Sequence, residues 1–337
     1  MNISKKDKIL VAGANGMVGS AIKRLLKERG YGSQNNGRIF TPSKRELDFT
    51  SSQNVEIWFK RNKPNIVIIA AAKVGGIFAN NENPYEFLLE NLQIQINLIE
   101  ISRVNNVKRL LFLGSSCIYP KSTQQPIKEN QLLTGSLEIT NEAYAIAKIA
   151  GLKLCQYARF QKKFDAISLM PSNLYGPGDN YHINNSHVLP ALIRKFYEAK
   201  INSLNEVECW GDGSPLREFL YVDDLASACI FVLEKWNPTF NRDNASSQQN
   251  NQLTWLNIGT KEEISIKNLA IKISQIIGFK GNIIWNKSKP NGTLRKKLDC
   301  SEIYKLGWEP SISITEGIKL TLDDFKKKYH LNKLREN

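Results

Sequence analysis

Apolar and polar positions along this chain alternate between two periods. Lys8-Ile-Leu-Val-Ala12 is apolar almost without interruption, as in a strand covered on both faces, whereas residues 20–28 repeat their apolar positions at helical spacing. The alternation continues, predicting strands at 8–12, 38–41, 66–71, 109–115 and 165–170, separated by helices at 17–29, 52–61, 84–104 and 141–161. Strands that are apolar on both faces and joined through helices belong to parallel sheets with helices on each side. The pattern therefore predicts an α/β fold built on a doubly wound parallel sheet.

Two of the helices are more apolar than that architecture needs. Helices 84–104 and 141–161 carry apolar residues on more than the single stripe that a sheet face covers. A second copy of the same helix pair would cover the remainder and give a two-fold homodimer; a lobe of the same chain is the other way to cover it. Asn35-Asn-Gly37 and the polar stretch 241–251 read as surface insertions, and no internal repeat is visible.

Composition narrows the setting. A chain of 337 residues fits one large α/β unit with an appended lobe. The longest strongly apolar run, 66–72, is too short to span a bilayer, and no apolar leader precedes the first strand, which predicts a cytoplasmic protein without a membrane partner. Five scattered cysteines without a C-x-x-C pair and three dispersed histidines predict a reducing compartment and no metal site. Forty-six Lys plus Arg against 32 Asp plus Glu leave a charge of +14, which invites a nucleic-acid partner. The distribution argues against one, because no basic run is interleaved with aromatics, and a positive pocket equally suits small polyanions.

Chemistry begins at Gly13-Ala14-Asn15-Gly16-Met17-Val18-Gly19, between the first strand and the first helix. Gly13 allows a tight turn, Gly16 lets a pyrophosphate approach the backbone, and Gly19 lets helix and strand pack closely, so that phosphates rest at the helix N-terminus of a Rossmann sheet. The spacing is G-x-x-G-x-x-G rather than the more familiar G-x-G-x-x-G. Near the end of the second strand, where an NAD enzyme places an acidic residue for the ribose 2′-hydroxyl, stand Ser43-Lys44-Arg45. Two cations there fit a 2′-phosphate and predict NADP(H); a solvated loop is the plainer account of the same residues.

The fourth strand runs into Gly114-Ser115-Ser116-Cys117, which brings small reactive side chains to the carboxyl edge of the sheet, where ligands bind in such folds. Tyr144 and Lys148 stand four residues apart and share a helix face. The ammonium is expected to favour the phenolate and poise Tyr144 for proton transfer near neutrality; a packed aromatic with a snorkelling lysine is the other reading of that spacing.

With these features, and with the later runs Met170-Pro-Ser-Asn-Leu-Tyr-Gly-Pro177 and Arg217-Glu-Phe-Leu-Tyr-Val-Asp-Asp224, the chain resembles the extended short-chain dehydrogenase/reductase superfamily, whose members act on nucleotide-linked sugars. Within it, nearly the whole chain is similar to the GDP-L-fucose synthase family, most specifically at 70–77, 114–120, 144–151, 173–180, 186–192 and 292–299. The resemblance implies an NADP-binding domain over 1–176, with returning segments near 215–235 and 253–260, and a smaller C-terminal α/β substrate lobe over 177–337. It implies a homodimeric, bifunctional epimerase/reductase acting on GDP-4-keto-6-deoxy-D-mannose. Cys117 and His187 would epimerise carbons 3 and 5; Tyr144, Lys148 and Ser115 would then serve hydride transfer to C4. It adds Leu113, Gly114, Ser116, Pro171, Ser172, Asn173, Leu174 and His187 to the cofactor contacts, and assigns Lys195, Trp210, Arg217 and Asp299 to the substrate's nucleotide. Lysine stands at 195 where that family often has arginine, a point charge in place of a bidentate fork.

The chemistry fits those residue types. Carbons 3 and 5 flank a ketone, so their protons are acidified, and inversion needs a base on one face and an acid on the other; a thiol and an imidazole bracket working pH from two sides. Three rivals share parts of the pattern. A 4,6-dehydratase would show Thr-Asp-Glu or Thr-Glu-Glu where Ser115-Ser-Cys117 stands, and a 4-epimerase would lack the Cys117/His187 pair. A non-catalytic nucleotide-binding relative is suggested by charge alone, and intact Tyr144, Lys148 and Ser115 oppose it.

Overall fold

The computed structural model describes residues 3–183, 185–238, 253–289 and 291–336; the polar stretch at 241–251 lies outside them. The chain begins β1 (Lys8–Ala12), α1 (Met17–Glu28), β2 (Arg38–Phe40), α2 (Ser52–Asn62), β3 (Ile66–Ile69), α3 (Ile77–Glu82), α4 (Pro84–Val104), β4 (Arg109–Leu113), α5 (Glu142–Lys162) and β5 (Ala166–Pro171). Every element predicted from the period is present. Within this stretch the helix it does not predict is α3, whose six residues are too short to show a period. The chain continues with β6 (Asn173–Tyr175), α6 (Val188–Ile201), β7 (Glu206–Trp210), β8 (Leu216–Arg217), β9 (Phe219–Tyr221), α7 (Val222–Lys235), β10 (Trp255–Ile258), β11 (Ile264–Ser265), α8 (Ile266–Ile277), β12 (Asn282–Asn286), β13 (Arg295–Lys296), α9 (Ser301–Lys305) and α10 (Ile314–His330).

Six strands form one parallel sheet in the order β10-β5-β4-β3-β1-β2. The chain steps outward from β1 to β2, then returns to β3 and winds the other way, so a crevice opens at the carboxyl ends of β1 and β3. Every residue of β3, β4, β5 and β10 is buried, which is why their sequences are mostly apolar, with Arg109, Ser168 and Asn257 as buried exceptions. Helix α1 packs beside α7, while α2, α4 and α5 pack in a row.

Two apolar cores result. The first belongs to the large sheet and takes in Leu220 to Leu233 on β9 and α7, Trp255 to Ile258 on β10, and Leu298, Ile303 and Trp308 from the C-terminal half. The second gathers Tyr175, Tyr181, Phe219 and the inner faces of α6, α8 and α10. The remaining strands form the small sheets β11-β8-β13, β12-β7 and β6-β9, of which β6, β7 and β9 contribute to the second core. On the far side of the large sheet α4 and α5 approach closely: a Cβ at Gly151 would lie 2.7 Å from Gln95 Oε1. Their outer faces leave Tyr85, Leu89, Ile96, Ile146 and Tyr157 exposed. Among the described residues no helix is long and apolar enough to cross a membrane.

Candidate active site

The end of β4 builds the reactive group. The chain leaves the sheet at Gly114, where a Cβ would lie 2.3 Å from the sulfur of Met170. Ser115 then caps a turn at Ser116–Ile118, its Oγ accepting the Cys117 N–H at 3.2 Å. Tyr144, on the first turn of α5, shares a hydrogen bond with Ser115 and stands edge-on to Phe87, 6.5 Å between ring centroids. Asn141 Nδ2 lies 3.4 Å from Cys117 Sγ, and Lys296 Nζ approaches the same sulfur at 3.7 Å. One turn beyond Tyr144, Lys148 is buried, donates to the Leu113 carbonyl at 2.9 Å and holds its Nζ 5.7 Å from the Tyr144 ring centroid.

Electrostatics here differ from the sequence expectation. Burial pushes the Tyr144 phenol above its ordinary range, Cys117 adds to the rise, and only the bond with Ser115 opposes it. Lys148 does not bring Tyr144 toward neutrality: burial lowers its own amine to about 8, and its hydrogen bond is spent on Leu113. Desolvation outweighs the neighbouring charge. The phenol is held with its proton on, as a hydrogen-bond donor.

The glycine loop has the stereochemistry read from its spacing. Gly13 is left-handed at φ +86°, and a Cβ there would lie 2.6 Å from the Ala71 nitrogen; one on Gly19 would lie 2.2 Å from the Gly13 carbonyl oxygen. Gly16 differs: the nearest protein atom to its missing Cβ is 3.4 Å away, so internal packing does not demand glycine there. Helix α1 starts with no side-chain cap and no acidic residue in its first turn, leaving N–H groups toward the crevice. Ser172, just past β5, has a buried Oγ without a partner. An open approach, a bare helix start and an orphaned hydroxyl fit a bound dinucleotide. Pro171 closes β5, and Asn173 Nδ2 donates to the Glu218 carbonyl at 2.8 Å, tying Leu174 and β6 to the segment that bears Arg217. Lys44 and Arg45 project from an exposed turn after β2 in which Ser43 N donates to Glu46 at 2.7 Å.

The remaining residues come from the C-terminal half. His187 precedes α6 on a loop fastened to the glycine pair before α3 by the Gly76 N–H to Asn185 O bond, 3.0 Å. Its ring is open to solvent in surface terms, yet the surrounding protein desolvates it and lowers its pKa. Among the described residues no hydrogen bond joins it to Cys117 or Tyr144. Arg217 on β8 is in register with Lys296 on β13, the strand whose Lys296 approaches the thiol. Glu218 fixes that arrangement from beneath, accepting Thr260 N at 2.6 Å and Leu298 N at 3.1 Å; burial pushes its carboxyl up to about 7. Trp210 is half exposed between Lys195 and Lys289, 5.7 and 5.5 Å from its ring centroid.

Asp299 shows no described contact with that group. Its carboxylate is spent on Ser301, accepting the N–H at 2.9 Å and the hydroxyl at 2.6 Å, near Lys128 and Lys305. Asn291 reaches the turn that follows Trp210, its Oδ1 accepting the Asp212 N–H at 2.9 Å next to Gly211. Four residues that the sequence reading missed therefore lie at the site: Asn141, Lys289, Asn291 and Lys296. Only Lys296 carried a signal, since it sits inside the 292–299 run already singled out.

Together the sheet, the glycine loop and the Ser115, Tyr144 and Lys148 group define a short-chain dehydrogenase/reductase of the extended type. The chain belongs to the NAD dependent epimerase/dehydratase family, whose model matches residues 9–245. It is 51% identical over 323 residues to GDP-L-fucose synthase 1 of Arabidopsis thaliana, covering 96% of this chain and 94% of that protein. To GDP-L-fucose synthase of Escherichia coli (strain K12) it is 45% identical, covering 95% and 97%. Among solved structures, a GDP-L-fucose synthetase from Naegleria fowleri bound to NADP superposes with a TM-score of 0.84 at 26% identity, covering 100% and 98% of the two chains. A GDP-6-OMe-4-keto-L-xylo-heptose reductase from C. jejuni gives 0.87 at 33% identity, covering 97% and 100%.

Proposed function

We propose that this protein converts GDP-4-keto-6-deoxy-D-mannose to GDP-L-fucose by epimerisation at C3 and C5 followed by NADPH-dependent reduction at C4. The observation that carries the reading is the Cys117 thiol, set in one site with the Ser115–Tyr144 acid and flanked by Asn141 and Lys296. A dehydratase or a 4-epimerase has no use for a thiol there. Residues 1–176 with their returning segments hold the cofactor, and 177–337 supply most of the substrate lobe.

The cofactor supplies hydride. The chain's residues do the rest. Ser115 and Tyr144 donate hydrogen bonds to the C4 oxygen, stabilising the enolate while Cys117 and His187 move protons at C3 and C5. Lys296 and Asn141 hold the Cys117 sulfur in the site, and desolvation lowers the pKa of His187, which favours its neutral imidazole. Tyr144 later gives its proton to the C4 oxygen, and Lys148 orients the nicotinamide ribose. Arg217 and Lys195 balance the diphosphate, and Trp210 stacks on the base. Lys44 and Arg45 receive the 2′-phosphate. The exposed faces of α4 and α5 form a two-fold dimer, and five free cysteines suit a cytoplasmic setting.

The test omits NADPH. Incubated with the keto sugar in deuterium oxide, wild type should place deuterium at C3 and C5, and Cys117→Ser or His187→Asn should slow that exchange by about 10²-fold or more while still binding NADPH. A wild type that exchanges neither position would overturn the epimerase half.

A further inference from the structure

The last described residues are fastened to the second lobe at three points. Leu334 packs on the second core, the Arg335 carbonyl accepts the Tyr181 N–H at 2.8 Å, and Glu336 pairs with Arg194, whose Nη1 also reaches the Tyr181 carbonyl at 2.7 Å. These contacts position the Arg335 side chain. Its Nη1 lies 3.7 Å from the point where a Cβ on Gly16 would stand, directly over the turn at which α1 begins. The 176–180 loop closes on the same turn: a Cβ on Gly178 would lie 3.8 Å from Met17 Cα.

Asp179 of that loop faces Arg335. Its carboxyl is 4% exposed; one oxygen accepts the Asn180 N–H at 2.8 Å, and Oδ2 has no hydrogen-bond partner. Burial pushes this group up to about 7 against the pull of the Asn180 N–H and the Arg335 charge. A guanidinium presents its N–H donors in a planar fork that matches the paired oxygens of a phosphate.

We propose that Arg335, carried in by the C-terminal tail, binds the pyrophosphate of the dinucleotide, closing over it opposite the glycine turn. This rests on the reading of residues 13–19 as a dinucleotide cradle. That loop contains no cation of its own, since Asn15 is its only polar side chain, and the bare start of α1 offers only partial charge. Lys44 and Arg45 stand beyond β2, on the 2′-phosphate side. The tail supplies the full charge that the loop lacks, at the point where glycine leaves room for a phosphate.

The pyrophosphate is common to NADPH and NADH, whereas the 2′-phosphate is not, and this separates the two sets of cations. The full-length protein is titrated with each nucleotide alone, by calorimetry or tryptophan fluorescence, at several salt concentrations. Arg335→Gln should weaken both by the same factor, about ten-fold for one charge-assisted contact, and flatten the salt dependence of both. Arg335→Lys should recover part of the loss, with the thermal melt of each variant unchanged. Unchanged dissociation constants, a loss confined to NADPH, or a lowered melt that lysine does not rescue would each overturn the proposal. If the wild type itself binds neither nucleotide, the cradle reading fails first, and that is visible without any variant.

Discussion

Tyr144 keeps its proton because burial costs a phenolate more than its neighbours return, and this makes the hydroxyl a donor rather than a base. Tyr144→Phe removes that donor and leaves the ring against Phe87. Turnover in NADPH oxidation with the keto sugar should fall about 10²–10⁴-fold while the melt is retained; turnover close to wild type would refute the role. Lys148 makes a second prediction. Its amine titrates at about 8 in the fold and near 10.5 ordinarily, so between those values the unfolded chain binds more protons and this group's contribution to stability rises with pH. Below 8 the fold bears a buried charge at full cost. Lys148→Met should thus lose reduction yet melt no lower than wild type at pH 7, with its relative stability falling by up to about 3 kcal/mol toward pH 10.5. A variant that melts well below wild type at pH 7 would show that the bond to Leu113 outweighs the buried charge.

At the scale of elements, chemistry collects where short strands and turns meet the carboxyl edge of the large sheet. The turn after β2 presents Lys44 and Arg45, with no acidic residue in the place that a ribose 2′-hydroxyl would need. Replacing both by glutamine should raise the KM for NADPH roughly ten-fold or more and leave that for NADH nearly unchanged, because two charge-assisted contacts to the 2′-phosphate are lost. Equal effects on both cofactors would sink the assignment. Pairing of β8 with β13 does comparable work near Cys117, since register sets Arg217 opposite Lys296 and Lys296 beside the thiol. Neither cation has a local reason to be there.

Among the described residues, α4 and α5 present an apolar face on which Tyr85, Leu89, Ile96, Ile146 and Tyr157 meet solvent in the single chain. Burying such a stripe against its two-fold copy gives a four-helix interface. Light scattering should therefore report twice the 38.2 kDa chain mass, and Ile146→Arg with Tyr157→Glu should shift the protein to monomer without a lower far-UV helix signal. A wild-type monomer would leave that stripe without a purpose.

What the sequence by itself determined is the part written in neighbouring residues. The switch between apolar blocks and helical spacing placed β1 to β5 and their helices within about two residues, because burial of each strand and each helix stripe imposes its period locally. The glycine loop, the Ser115 turn and the Tyr144/Lys148 spacing were legible for the same reason. Tertiary structure decided which distant groups join them. Only folding pairs β10 with β5, brings Lys296 to Cys117, Lys289 to Trp210 and Asn291 to the turn that follows Trp210, and lays Arg335 over Gly16. Those contacts join segments that share no period and lie up to hundreds of residues apart. Their partners are chosen by how two apolar cores pack against each other, and that packing leaves no trace in the local alternation of the chain.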